Sequence, residues 1–206
     1  MAVSRAVPPQ PLFGDPLPIG EPSPEVLAFL SRRRSASALS LEAPGPSAGE
    51  LADLLRLAAR VPDHGKLFPW RFIVIEGTAK AELESALTEL ARTQANPTKA
   101  LAALGKLAAP PLSVAVVSRV DPQAAIPVWE QELSAGAVCM TFLLGAQAMG
   151  YGANWITDWY AYDPKATALL GLAAGERVAG FIHLGTAAEP PAERVRPVIE
   201  TLVTRL

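Results

Sequence analysis

The sequence predicts an α+β fold around one sheet, and three observations carry that reading. Four short runs rich in β-branched and aromatic residues, near 70–76, 112–118, 154–157 and 178–184, have the composition of strands. Apolar residues at helical spacing separate most of them. No segment repeats at a fixed period, and 206 residues fit one domain slightly above the usual size. A chain of this length buries roughly 70% of the surface its unfolded form exposes, so it needs neither disulfide nor metal to fold.

The first 24 residues carry seven prolines, at 8, 9, 11, 16, 18, 22 and 24. They predict an extended arm, either disordered or laid on the protein or its partner. No apolar core of signal-peptide length follows a basic start. Residues 25–206 are then one domain. Pro24 to Arg33 reads as a short helix with Val26, Leu27 and Leu30 on one face. A Pro- and Gly-rich loop follows from Ser40. Ser47 and Glu50 form a capping box at the head of a helix carrying Leu51, Leu54, Leu55, Ala58 and Val61, which Pro62 stops. Trp70 to Glu76 reads as a strand closed by Gly77. Thr78 is expected to cap a helix to about Thr93, and another helix follows Pro97. Leu112 to Ser118 is the second strand. Trp129 to Met149 is a long buried helix, followed by a strand at Asn154 to Thr157, a helix at Pro164 to Leu170, and a strand at Val178 to Leu184. Arg194 and Arg196 lie in the tail before a last apolar segment.

Hydrophobic residues make up 50% of the chain and charged residues 18%. So few charges suggest that apolar surface is buried against a second subunit. A net charge of -2 points away from nucleic acid. The 18 residues from Leu133 to Gly150 hold Ser134, Thr141 and Gln147 and fall short of a membrane span of ~20, so a helix at a dimer core is the better reading. The single cysteine, Cys139, fits a reducing compartment and a cytoplasmic location. With His64 and His183 as the only histidines, nothing has zinc spacing. Gly45-Pro46-Ser47-Ala48-Gly49 matches a hydrolase elbow, but a Pro-broken loop precedes it where a buried strand is required. Neither a dinucleotide fingerprint nor a P-loop occurs.

Two segments carry chemistry. Arg32-Arg33-Arg34-Ser35 concentrates positive charge and donors suited to a phosphate, or else is a solvated basic helix end. Arg60-Val61-Pro62-Asp63-His64-Gly65-Lys66-Leu67-Phe68-Pro69-Trp70 places polar side chains in a turn between prolines, where Asp63, His64 and Lys66 either meet a ligand or serve the turn itself.

Taken together, Arg33-Arg34-Ser35, Arg-x-Pro-Asp-His-Gly at 60–65, Pro69-Trp70, Trp129-Glu130-Gln131-Glu132, Gly150-Tyr151-Gly152-Ala153-Asn154-Trp155 and Leu184-Gly185-Thr186 resemble the FMN-dependent nitroreductase family, most closely its small bacterial subgroup. The resemblance runs from about Glu25 to the C-terminus. It implies a central, mostly antiparallel sheet flanked by helices in an intertwined homodimer. It also implies FMN as cofactor, NAD(P)H as donor and a small-molecule acceptor such as a nitroarene or quinone, reduced in ping-pong fashion on one flavin face. By the same resemblance, Arg33, Arg34 and Ser35 would meet the FMN phosphate and the end of the ribityl chain. Arg60 and His64 would lie along the polar edge. Trp155, Ile156 and Thr157 would border the isoalloxazine, and Arg194 and Arg196 would add a C-terminal phosphate contact. His64, Lys66 and Phe68 replace the serine, asparagine and glutamine of better-known members, which bears on substrate range. A flavin-dependent dehydrogenase or dehalogenase of a dedicated metabolite, a non-catalytic flavin binder, and an interaction protein without cofactor are the alternatives.

Overall fold

A computed structural model describes residues 5–206. The elements in chain order are α1 (Pro24–Arg32), β1 (Leu41–Glu42), α2 (Ala48–Ala58), β2 (Trp70–Ile75), α3 (Gly77–Ala91), α4 (Pro97–Ala108), β3 (Leu112–Ser118), α5 (Val128–Ala148), β4 (Gly152–Ile156), α6 (Pro164–Leu169) and β5 (Arg177–Ala187). The sheet runs β1-β5-β3-β2, with β4 also paired to β5, and every pairing is antiparallel.

Period-two alternation gives the sheet two apolar faces. Val114, Val116, Ile182 and Leu184 point toward α2 and α5, where they meet Leu54, Val138 and Phe142. Ala115 and Phe181 point the other way, toward Leu87, Leu104, Leu107 and Tyr160. All seven residues of β3 are buried. The result is a sheet between two helical layers. α5 covers the first face, yet its other side leaves Trp129 67% and Leu133 52% exposed. On α1, Val26, Leu27 and Leu30 are exposed as well. On β2, Arg71 forks onto Glu176 with two contacts of 2.7 Å. That guanidinium holds the Glu176 carboxyl down at about 2.

The structure departs from the sequence expectation at β1, α3 and β5, and β4 runs from Gly152 to Ile156 where Asn154 to Thr157 was expected. β1 pairs with Thr186 and Ala187 inside the segment expected to be a loop, because two residues are too few for alternation to register. α3 starts at Gly77 with Glu76 at its cap, and no side chain caps it. Gly77 turns the chain with φ +59°, so Thr78 already lies within the helix. β5 continues past Leu184 through Gly185 to Ala187. A Cβ on Gly185 would stand 2.8 Å from the Glu42 carbonyl oxygen, so this glycine admits the backbone of β1 rather than ending the strand. The first four residues of the Pro-rich arm lie outside the described residues. Farther along, Arg5 donates to the Tyr151 hydroxyl at 2.8 Å and Val7 packs against the core, whereas residues 8–22 are exposed.

The capping box forms as its sequence dictates. Glu50 accepts from the Ser47 backbone N–H at 2.9 Å, and Ser47 Oγ accepts from the Glu50 N–H at 3.4 Å. The hydroxyl and backbone bonds from Ser47 hold the Glu50 carboxyl down at about 2. Replacing Ser47 by alanine is expected to lower stability by ~1 kcal/mol, read as a shift in urea midpoint at pH 7. Because the folded carboxyl titrates below its ordinary 4.5, its contribution is present above that value and is lost as pH falls toward 2.

Candidate cofactor site

α1 ends at Arg32, and Arg33 leaves it with extended geometry (φ -55°, ψ 124°). From Arg33 to Ser37 the chain has no regular structure, but its backbone is tied down from outside. The Ala36 N–H donates to the Ala153 carbonyl at 3.1 Å. Asn154 Nδ2 donates to the Ala36 carbonyl, and Gln147 Nε2 donates to that of Arg34. Beside this turn opens a cleft of about 680 Å³, whose wall includes Arg34, Ser35, Asn154, Trp155, Ile156 and Arg194. A second cleft of about 490 Å³ adjoins it at Arg34 and holds Arg32, Arg33, Gln147 and Tyr151.

Five of the ten expected cofactor residues thus share one wall, and Arg33 stands in the adjoining cleft. Arg34 donates through Nε to the Ala192 carbonyl at 2.9 Å and lies 3.9 Å from the Glu193 carboxylate. Arg196 reaches the same carboxylate at 2.9 Å and the Arg33 carbonyl at 3.3 Å. The Arg194 backbone N–H donates to Glu193 at 2.6 Å. That N–H first, then Arg196 and Arg34, keep the Glu193 carboxyl below its usual range. Glu193 is a member of the cluster that sequence reasoning missed. Its contacts are the arginines expected to hold a phosphate.

Trp155 lies across β5. Its Nε1 donates to the Ala179 carbonyl at 3.3 Å, and the indole fills the space that a Cβ on Gly180 would need. Ile156 follows it on the wall. Thr157 lies just beyond β4 and accepts a 2.7 Å hydrogen bond from the Tyr162 hydroxyl.

Arg60 and His64 do not join this group. They are exposed and line neither cleft. His64 Nδ1 lies 2.7 Å from Glu130 on α5. Asp63 accepts from the backbone N–H groups of Leu67 and Phe68, at 3.3 and 2.8 Å, so its carboxylate builds the turn. Gly65, Lys66 and Phe68 all take positive φ there. Ser134 fixes the turn to α5, accepting from Trp70 Nε1 at 3.2 Å and donating to the Pro62 carbonyl at 2.8 Å. The structure therefore presents two separate polar surfaces on one chain.

Comparison with known proteins decides what carries them. The nitroreductase family model matches residues 30–186. The chain belongs to the nitroreductase family. It is 33% identical over 163 residues to YdjA of Escherichia coli K12, provisionally named an NAD(P)H nitroreductase, covering 79% of this chain and 88% of that protein. A nitroreductase-like protein from Bacillus cereus superposes with a TM-score of 0.77 at 21% identity, over 91% of this chain and 99% of its own. A Bacteroides fragilis nitroreductase with bound FMN superposes with a TM-score of 0.67 at 21% identity, over 89% of this chain and all of its own. These two structures share the antiparallel sheet between helices. The match to this oxidoreductase family takes in the Arg33–Ser35 turn, the Asp63–Phe68 turn and Trp155, but ends before Arg194 and Arg196. Among the described residues, no helix of this nitroreductase-family chain is long and apolar enough to cross a membrane.

Proposed function

We propose that this chain is an FMN-dependent NAD(P)H oxidoreductase, working as a cytoplasmic homodimer and reducing nitroaromatic, quinone or similar small acceptors. The observation that carries the reading is the meeting of Arg34, Ser35, Trp155, Ile156 and Arg194, from three distant parts of the chain, on one cleft.

The residues present fit FMN. Guanidinium forks match phosphate oxygens. The Glu193 carboxylate already draws on the Arg34 and Arg196 guanidiniums and on the Arg194 backbone N–H, which supports a role for this cluster in holding anionic oxygens. Arg33 and Ser35 add donors on the same turn. Trp155 and Ile156 supply an apolar edge on the cleft suited to the ring system, with Thr157 next to them in the chain. When bound, FMN supplies two-electron chemistry that no side chain here can supply. The work of this chain is to bind it, orient it and leave one face open to both substrates in turn.

Arg60 and His64 stand apart from that cleft, and in a homodimer the partner subunit's copies complete it. The exposed apolar side of α5, with Trp129 and Leu133, and that of α1 supply surface for such an interface. Residues 25–206 form the flavin-binding domain, and 1–24 the arm.

Purified protein is expected to be yellow, to bleach under NAD(P)H without air, and to recover its colour when air is admitted. Turnover with a nitroarene or quinone is expected to give parallel double-reciprocal lines, and light scattering a dimer mass. Intersecting lines would remove the shared face, and a monomer at micromolar concentration would remove the interface. Colourless protein that ignores added FMN would end the proposal.

A further inference from the structure

The turn from Arg33 to Ser37 makes no ladder or helix of its own, so its shape is imposed by neighbours. Two carboxamides do much of this. Gln147, in the last turns of α5, donates to the Arg34 carbonyl, and Asn154, in β4, donates to the Ala36 carbonyl. The backbone bond from Ala36 to Ala153 sits between them. Both carboxamide oxygens, Gln147 Oε1 and Asn154 Oδ1, are buried without a partner. Turning either amide over would set its oxygen against a carbonyl oxygen, so the donated bond fixes the orientation and leaves the acceptor unmet. Buried polar atoms without partners are rare. Two of them at one turn mark side chains whose orientation is set by what their N–H groups hold.

We propose that Gln147 and Asn154 are positioning residues for the phosphate of the cofactor. By holding the Arg34 and Ala36 carbonyls inward, they direct the Arg34 guanidinium and the Ser35 hydroxyl into the cleft. The inference rests on the FMN reading above and adds two residues that act through the turn.

The test compares FMN with riboflavin, which lacks the phosphate, on flavin-depleted full-length protein. Gln147→Met removes the donor at similar volume, and the milder Asn154→Ser shortens it out of reach. Each is expected to raise the FMN dissociation constant about three- to tenfold, with riboflavin changed by less than about twofold. Placed on Arg34→Ala, Gln147→Met is expected to add less than about twofold, because the group it aims is gone. Equal losses for both flavins, or the same Gln147→Met increment with and without Arg34, would overturn the inference, since general support of the fold predicts both. If Gln147→Met folds poorly, Asn154→Ser alone decides by the same ratio. Wild-type protein that binds neither flavin would remove the FMN reading and this inference together. That result is distinct from bound FMN whose phosphate preference ignores both carboxamides, which removes the inference alone.

Discussion

Replacing Arg34 by alanine is expected to weaken FMN binding about 10- to 150-fold and to leave riboflavin binding nearly unchanged. The figure follows from losing one charge-assisted hydrogen bond of ~1.5–3 kcal/mol, with 1.4 kcal/mol equal to a factor of ten. Arg34 is the right residue to test because it lies where the two clefts join. Its contacts with the Ala192 carbonyl and the Glu193 carboxylate also anchor the tail that brings in Arg194 and Arg196. Paired titrations of wild type and variant with both flavins measure the effect. Equal loss for FMN and riboflavin would mean that the arginine supports the shape of the site. Loss for neither would return Arg32 to Ser35 to a solvated helix end.

Stability is expected to fall by about 2 kcal/mol between pH 6.5 and pH 4.5, and His183→Asn is expected to remove most of that slope. His183 is fully buried in β5, its Nδ1 2.7 Å from the Ser113 hydroxyl and its Nε2 without a partner. Burial, and then the charges of Lys80 and Lys106, push its titration down to about 4. Below 6.5 the unfolded chain therefore binds a proton that the folded chain refuses. The His183 contribution drops as pH falls through this window and levels off below about 4. Asparagine sets a polar atom near the Nδ1 position, keeping a partner for Ser113 without a charge to gain. Glu50 and Glu176, held at about 2, govern a separate loss that begins below 4.5. Urea unfolding across pH at fixed protein and FMN concentration separates the two windows. An unchanged slope in His183→Asn would show that other groups bind the proton.

What was legible in the sequence was local. β3 matches its expected bounds because its seven residues carry their own strand chemistry. The capping box is visible because Ser47 and Glu50 stand three apart, and α5 because its apolar run is long. What was hidden was mostly long-range. Gln147 and Arg34 are 113 positions apart, Asn154 and Ala36 are 118 apart, and His64 and Glu130 are 66 apart. A polar residue inside an apolar helix was the one available sign for Gln147, and Asn154 was visible as part of the Gly150–Trp155 segment. Glu193 lay in a tail where no periodicity predicts a contact. Resemblance named Arg60 and His64 beside Arg34 and Ser35, but one chain alone does not unite them.

β5 has a consequence for how this molecule is made. It is the partner of β1, β3 and β4, and it is the last strand in the chain. As the polypeptide leaves the ribosome, only β2 and β3 can pair with each other. The other strands must wait, with their backbone groups unpaired, until residues 177–187 emerge. Closing such distant pairings makes folding slow relative to local helix formation, and the waiting edges are open to wrong partners meanwhile. Nascent chains halted before residue 177 are therefore the species most in need of a chaperone, and release of the final strand is the step that commits the sheet.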